Sequence, residues 1–228
     1  MVGTIVNTCC IIAGSILGAV LKKGIKPQYQ EALFNAMGIA SLALGANACV
    51  HNLPKSTVPV LFIISLAVGS LIGYMLKLDD RFSRLVNRGD GSGRLAEGLS
   101  TGILLYCIGT FSMLGPVLSA LHGDNTYLFT NATLDFCSSM VLASTFGIGM
   151  IWAAPVLFCW QGMFYTIAKI SETAISEELV TELSIVGGAL ILASGLKLLN
   201  LRDCKTLNML PGLFIPVLFF IAKAIFGF

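Results

Sequence analysis

The stretch that decides the fold runs from residue 94 to residue 168 and reads RLAEGLSTGILLYCIGTFSMLGPVLSALHGDNTYLFTNATLDFCSSMVLASTFGIGMIWAAPVLFCWQGMFYTIA. It contains two apolar segments on either side of a short polar loop. Glycines and then a proline interrupt each segment, at residues 109–116 and again at residues 144–155. Apolar segments of this length are typical of transmembrane helices, because a helix bonds all of its own backbone polar groups inside lipid.

The composition of the whole chain also indicates that lipid surrounds it. Of its 228 residues, 56% are hydrophobic and 11% are charged, against about 25% charged in an average soluble protein. The mean hydropathy is +0.86, so lipid is expected to surround most of the chain. The net charge of +2 gives no indication of nucleic-acid binding.

The sequence contains no motif of a common enzyme or metal site. It has no nucleophile elbow, phosphate-binding loop, HExxH sequence or dinucleotide fingerprint. The seven cysteines lie mostly in apolar runs without CxxC spacing, as packing thiols do. We therefore expect neither enzyme activity nor a cofactor nor a bound metal.

Hydropathy predicts an all-α, polytopic transmembrane helical bundle that forms a single membrane domain over residues 1–228. Two of its helices are expected to be broken by Gly and Pro. Taking about 20 apolar residues as one crossing, the sequence contains seven apolar segments: 2–21, 32–50, 58–76, 95–121, 133–168, 183–199 and 207–226.

The positions of Lys and Arg predict the orientation. The loops at 22–26, 77–94 and 197–205 hold most of them and should be cytoplasmic, whereas the loops at 51–57, 122–130 and 171–182 should face outward. The run 133–168 must then start and end outside, as two crossings or a re-entrant hairpin. As a helix it would measure about 54 Å, against a hydrocarbon core of about 30 Å. Two crossings that turn near Trp152–Pro155 fit best, which gives about eight crossings and both termini outside.

A repeated sequence pattern suggests internal duplication. Gly14-Ser15-x-x-Gly18 recurs as Gly69-Ser70-x-x-Gly73, and a second glycine-bearing helix follows each copy. The predicted repeats lie near residues 1–50, 58–121 and 150–199, although Gly-rich apolar sequences also align by chance. The GxxxG pairs themselves indicate close helix packing.

The two broken segments predict a shared polar path. Pro116 and Pro155 each remove an amide donor, and carbonyls freed in lipid must be buried in protein or line a cavity. Simple kinks are the alternative explanation. The candidate path residues are Gly109, Thr110, Ser112, Gly115 and Pro116 on one side, and Ser144, Gly147, Gly149 and Gln161 on the other.

Asp135 is the candidate charge on this path. It lies near the start of its apolar run, so it either caps a helix or acts near the outer entrance as a cation or proton site. Gln161 is deep enough in its segment that its amide needs a partner. Asn7 is expected to join helices through a hydrogen bond.

Short motifs recur in a fixed order along nearly the whole chain: Gly3-Thr4-Ile5-x-Asn7, Gly14-Ser15-x-x-Gly18, Ala96-Glu97-Gly98-Leu99, Gly115-Pro116, His122-Gly123-Asp124, Leu134-Asp135, Gly147-x-Gly149, Gln161-Gly162, Gly187-Gly188 and Asn208-x-Leu210-Pro211. In this order and spacing they resemble a bacterial multi-pass membrane family of unknown function, the YqgA/YdfK-like proteins. That family's pattern has Lys-Ser before the Leu-Asp pair and Gly after it, where this chain has Asn131-Ala132 and Phe136. The resemblance implies a multi-pass protein of the bacterial inner membrane and no substrate.

Two functions fit these observations. The first is a small-solute or ion transporter or channel of the inner membrane, assembled as a homo-oligomer, with its path between the breaks at 109–116 and 144–155. The alternative is a non-transporting membrane scaffold or sensor that acts through the cytoplasmic loop 77–94.

Overall fold

The computed structural model describes residues 1–21, 26–87, 93–107, 109–171 and 176–226. These residues form helices joined by short turns, with no strand among them. The prediction of an all-α membrane bundle is confirmed. The helices are α1 (Val2–Val20), α2 (Pro27–Asn52), α3 (Leu61–Met75), α4 (Leu78–Asn87), α5 (Gly93–Cys107), α6 (Thr110–His122), α7 (Thr126–Phe146), α8 (Ala153–Ile170), α9 (Glu177–Leu198), α10 (Thr206–Met209) and α11 (Phe214–Phe226).

Five helical segments in the described residues are long and apolar enough to cross a membrane: Val2–Val20, Pro27–Lys55, Ile148–Ile170, Glu177–Leu198 and Thr206–Phe226. Helix α3 is apolar but has only 15 residues. Helix α7 has 21 residues and a more polar composition. Helices α5 and α6 have 15 and 13 residues, each short of the roughly 20 that one crossing needs. The total of eight crossings stays a prediction.

The chain divides into two compact units, each made of two separate stretches of sequence. Unit 1 comprises Met1–Leu33 and Phe82–Glu172, and unit 2 comprises Phe34–Arg81 and Thr173–Phe228. Each of the three predicted repeats therefore contains residues of both units.

In unit 1, α1 and α7 pack through glycines. A Cβ added at Gly14 would overlap the carbonyl oxygen of Phe136, and one added at Gly18 would overlap that of Met140. Gly14 meets Phe136, and Gly18, one turn later, meets Met140, also one turn later. Residue numbers therefore increase in the same direction along both helices, so the helices run parallel. The backbones touch directly, as small-residue packing in membranes allows.

The first interruption is a short break between two helices. Helix α5 ends at Cys107, and Gly109 is extended (φ −116°, ψ 151°) before α6 begins at Thr110. Residue 108 lies outside the described residues. The predicted break reached Pro116, but α6 continues through it. The reason is that one proline removes a single amide donor, which the remaining bonds of the helix can tolerate.

The second interruption is a turn between two helices. Helix α7 ends at Phe146, Gly147 has a φ of +95°, and a 3₁₀ segment, Ile148–Trp152, leads into α8. Gly162 of α8 lies beside Met1, at the opposite end of α1 from this turn, so α8 runs antiparallel to α1 and α7. The run therefore folds as two helices that turn slightly earlier than predicted. Pro155 is in the first turn of α8, where its missing amide costs little.

Unit 2 is also built on glycine contacts. Helices α2 and α9 cross where a Cβ at Gly45 would lie 2.7 Å from the carbonyl oxygen of Gly188. On α3, Gly69 packs against Gly212 and Gly73 against Asn208, so α3 runs antiparallel to residues 206–213. Both GxxxG motifs thus make close backbone contacts, but the motif on α1 packs against a parallel helix and the motif on α3 against an antiparallel segment.

The loop predicted at 77–94 is partly helical. Helix α4 occupies Leu78–Asn87, and residues 88–92 lie outside the described residues. The backbone N–H of Asp79 donates to Oδ1 of Asn208 at 2.9 Å, and the Nζ of Lys205 lies 4.0 Å from the Asp79 carboxylate. The start of the segment is thereby held within unit 2.

Candidate functional site

A buried carboxylate in unit 1 has amide partners from two helices. Asp135 on α7 is 4% exposed. Its Oδ2 accepts a hydrogen bond from Nδ2 of Asn131 and another from Nδ2 of Asn7 on α1, each at 2.9 Å. Hydrogen bonds to a carboxylate are stronger than neutral ones, so this contact joins the parallel pair α1 and α7 while it holds a charge-bearing group inside the bundle.

The position of Asp135 excludes the capping role. It is the tenth residue of α7, which begins at Thr126, so it lies about 14 Å along the helix from its start. The polar residues before it were assigned to a loop on composition, whereas they form the first turns of the helix. Asp135 is therefore a buried residue in the interior of α7 and does not cap the helix.

The break between α5 and α6 lies close to the level of Asp135. Ser139 follows Asp135 by one turn on the same face of α7, and its Oγ donates to the hydroxyl oxygen of Tyr106 at 3.0 Å. Tyr106 is the second-to-last residue of α5 and is 1% exposed. The interrupted backbone therefore adjoins the buried carboxylate.

Gln161 on α8 contacts α6, the helix that follows the break. Its Nε2 donates to Oγ of Ser112 at 3.2 Å, one turn into α6. Both side chains are fully buried. A buried amide needs such a partner, and here the partner belongs to the broken helix.

We call the buried side chains of Asp135, Ser139, Tyr106, Ser112 and Gln161 the polar layer. Three buried oxygen atoms around this layer have no partner in the described residues: Oγ1 of Thr4, Oδ1 of Asn7 and Oε1 of Gln161. The orientation of the Asn7 amide is fixed because its Nδ2 faces a carboxylate, which leaves Oδ1 as the unpartnered atom. Buried polar atoms are normally satisfied by protein, water or ligand. Amide and hydroxyl oxygens beside a carboxylate suit water or a cation. No group of three His, Cys, Asp or Glu that could hold a metal occurs in the described part of the chain.

The other candidate residues of the broken helix lie near this layer or one turn beyond it. Thr110 is buried at the start of α6, immediately after Gly109. Gly115 packs against Leu128 of α7, and Pro116 is buried beside it.

The candidates around the second interruption lie elsewhere in unit 1. Gly147 is twelve residues after Asp135, about 18 Å along the axis of α7. The Oγ of Ser144 bonds to the backbone oxygen of Val141 at 2.7 Å, and Gly149 packs against Leu95 at the start of α5. An open groove of about 540 Å³ lies here, lined by Ala19 and residues 143–148. Of the second predicted set, Gln161 therefore meets the first set at Ser112, whereas Ser144, Gly147 and Gly149 lie at a different level of unit 1.

Sequence reasoning assigned no site role to Asn7, Tyr106, Asn131 or Ser139, although Asn7 does join two helices as expected. One signal was available, because residues 131, 135 and 139 recur every four positions and so share one helix face. Nothing local in the sequence pairs Tyr106 with a residue 33 positions away.

The comparisons with known proteins agree on one family. The family described as "Protein of unknown function (DUF554)" matches residues 2–221. The chain is 56% identical to "Uncharacterized membrane protein YdfK" of Bacillus subtilis (strain 168) over 225 residues, 98% of each chain. It is 24% identical to "Uncharacterized protein YqgA" of Escherichia coli (strain K12) over 230 residues, 95% of each chain. No solved structure matches. The chain belongs to the DUF554 family, and the predicted resemblance is confirmed.

Proposed function

We propose that this DUF554 family member moves a small cation, alone or coupled to a solute, across the bacterial inner membrane through unit 1. The single observation that carries the proposal is the interior carboxylate of Asp135, bound by two asparagine amides beside a broken helix. An ionisable side chain inside a membrane bundle is costly, and it commonly marks an ion or proton pathway.

The charges around Asp135 support this assignment. The ion pairs found among the described residues join Lys197 to Asp203, Lys205 to Asp79 and Lys223 to Glu178, and Asp135 takes part in none of them. Two amide donors stabilise the carboxylate but leave its charge uncompensated. A transported cation would supply the missing charge, with oxygens such as Oδ1 of Asn7 as further ligands.

The broken helix adds a second support. Discontinuous helices place backbone ends at the binding sites of transporters and channels. Here the break at Gly109 adjoins Tyr106, Ser112 and, through them, Ser139 and Gln161. The path would follow this polar layer. The turn at residues 147–152 begins about 18 Å along α7 from Asp135 and is not part of the layer.

Purified protein in liposomes tests the proposal. A sodium or proton gradient is imposed with a clamped membrane potential, and internal Na⁺ and pH are followed with fluorescent indicators. Wild-type protein should dissipate one gradient, Asp135→Asn should slow that flux at least about tenfold, and Gln161→Ala should slow it less. Asp80→Asn, a change at an exposed carboxylate of α4, is the matched control and should transport normally. Equal fluxes from wild type, Asp135→Asn and empty liposomes would refute the proposal.

A further inference from the structure

Unit 2 contains a buried carboxylate of its own. Among the described residues, the buried charged side chains are Asp135 in unit 1 and Glu182 in unit 2. Glu182 is the sixth residue of α9 and has 0% exposure. It lies about 8 Å inside the helix, in a segment apolar enough to span a membrane.

The two oxygens of Glu182 differ in their surroundings. The hydroxyl of Ser56, which follows α2 and its short 3₁₀ extension, donates to Oε1. Oε2 is buried and has no partner among the described residues. One hydroxyl donor is a poor replacement for the hydration of a carboxylate, since an isolated buried charge costs many kcal/mol.

Charged or titratable side chains on α9 and on elements that contact it have other partners. The Sγ of Cys49 on α2 donates to the backbone oxygen of Ile185, one turn after Glu182, at 3.6 Å. Glu178, one turn earlier on α9, binds Nζ of Lys223 on α11 at 3.0 Å. Lys55, next to Ser56, places its Nζ 2.7 Å from Nε2 of His51 on α2. The charge of Glu182 is therefore not neutralised by either lysine.

We propose that Oε2 of Glu182 binds an exchangeable monovalent cation, with the Ser56 hydroxyl beside it. The chemistry is one positive charge against one carboxylate, and an alkali-metal ion provides it. A divalent ion would need more carboxylate ligands than one, and no such cluster occurs in the described residues. This site belongs to unit 2 and does not depend on the function proposed for Asp135.

Carbodiimide labelling tests the proposal on the intact wild-type protein. Dicyclohexylcarbodiimide reacts with protonated carboxyl groups in apolar surroundings, and peptide mass spectrometry locates the product residue by residue. We expect labelling at Glu182 that sodium chloride suppresses relative to choline chloride at equal ionic strength.

Labelling at Glu182 that is absent, or that sodium does not suppress, would overturn the inference. Because this readout uses wild-type protein, a variant that fails to fold does not affect it. Glu178→Gln is the control and should leave the behaviour of Glu182 unchanged. Ser56→Ala should raise the sodium concentration needed for half-protection about tenfold, since one hydrogen bond or ligand contributes roughly 1–1.5 kcal/mol. Flux through unit 1 is read at Asp135, so the two proposals can fail separately.

Discussion

Removing the Asn7 amide should measure how strongly α1 is tied to the carboxylate of α7. The change is Asn7→Ala, made in wild type and in an Asp135→Leu background, so that the four proteins form a double-mutant cycle. In wild type, Asn7→Ala deletes one donor to a buried carboxylate. In the Asp135→Leu background the same change deletes an amide that has already lost this acceptor.

The structure sets the size of the coupling. A hydrogen bond to a charged group contributes about 1.5–3 kcal/mol in proteins generally. Interhelical polar contacts measured in a membrane protein average about 0.6 kcal/mol, with a maximum of about 1.7 kcal/mol. Because the Asn7–Asp135 bond is 2.9 Å long and fully buried, we expect a coupling of about 1–2 kcal/mol, near the upper end of the membrane range.

The assay is equilibrium unfolding of purified protein in mixed micelles titrated with sodium dodecyl sulfate and followed by circular dichroism. Ser144→Ala combined with Asp135→Leu is the control cycle, because the Ser144 hydroxyl bonds only within its own helix. Its coupling should stay within about 0.5 kcal/mol, the usual limit of additivity. A value that small for Asn7 and Asp135 as well would refute the reasoning.

Three further predictions use other parts of the fold. Gly18→Ala should lower the free energy of unfolding by about 1–3 kcal/mol, because its Cβ would overlap the backbone of α7, whereas Gly162→Ala, with no atom closer than 3.6 Å, should change it by less than about 0.5 kcal/mol. Tyr106→Phe should cost about 1 kcal/mol because it leaves a buried serine hydroxyl without its acceptor, and Tyr74→Phe, at an exposed ring, should cost nothing measurable in the same titration. Partial burial alone would raise the pKa of Asp203, but hydrogen bonds and charges from two lysines outweigh it and hold that pKa below its ordinary value. A depressed carboxyl pKa stabilises the fold above the unfolded value of about 3.9. Asp203→Asn should therefore lower the free energy of unfolding at neutral pH by less than about 1 kcal/mol, as for a half-exposed pair, which a slightly lower melting temperature would report. This difference should vanish as the pH falls through the folded pKa.

Hydropathy was sufficient for the class of fold because lipid imposes it. Apolar runs near 20 residues must be helices in a bilayer, so α1 could be located almost to the residue. Helix α9 begins at Glu177, six residues before the predicted start at 183, because its acidic first turns were assigned to the loop at 171–182. Helix α7 could not be bounded this way, because its first turns contain Thr126, Thr130 and Asn131, which read as a loop when they are weighed by composition. The same error moved Asp135 from the interior of a helix to its beginning.

The polar layer was only half predictable. Gln161 was a candidate because a polar group deep in an apolar segment needs a partner, and Ser112 because it lies in the predicted break at 109–116. The two side chains are partners of each other. The sequence did not reveal that the two glycine-rich stretches have different structures. Gly147 has a φ of +95° and Gly109 is extended, but both are simply glycines in the sequence. Contacts such as Asn7 with Asp135, 128 residues apart, depend on tertiary packing and leave no local trace.

The parallel pairing of α1 with α7 has a consequence for biosynthesis. Helix α7 ends at Phe146, 126 positions after α1 ends at Val20. At a translation rate of about 5–20 residues per second, α1 waits roughly 6–25 s before its partner has been made. During that interval the unit 2 stretch Phe34–Arg81 emerges, followed by α5 and α6 of unit 1, and the Asn7 amide has no carboxylate to bind. Helix α1 must therefore persist in the membrane without its main partner until α7 is made, so assembly of unit 1 is completed late.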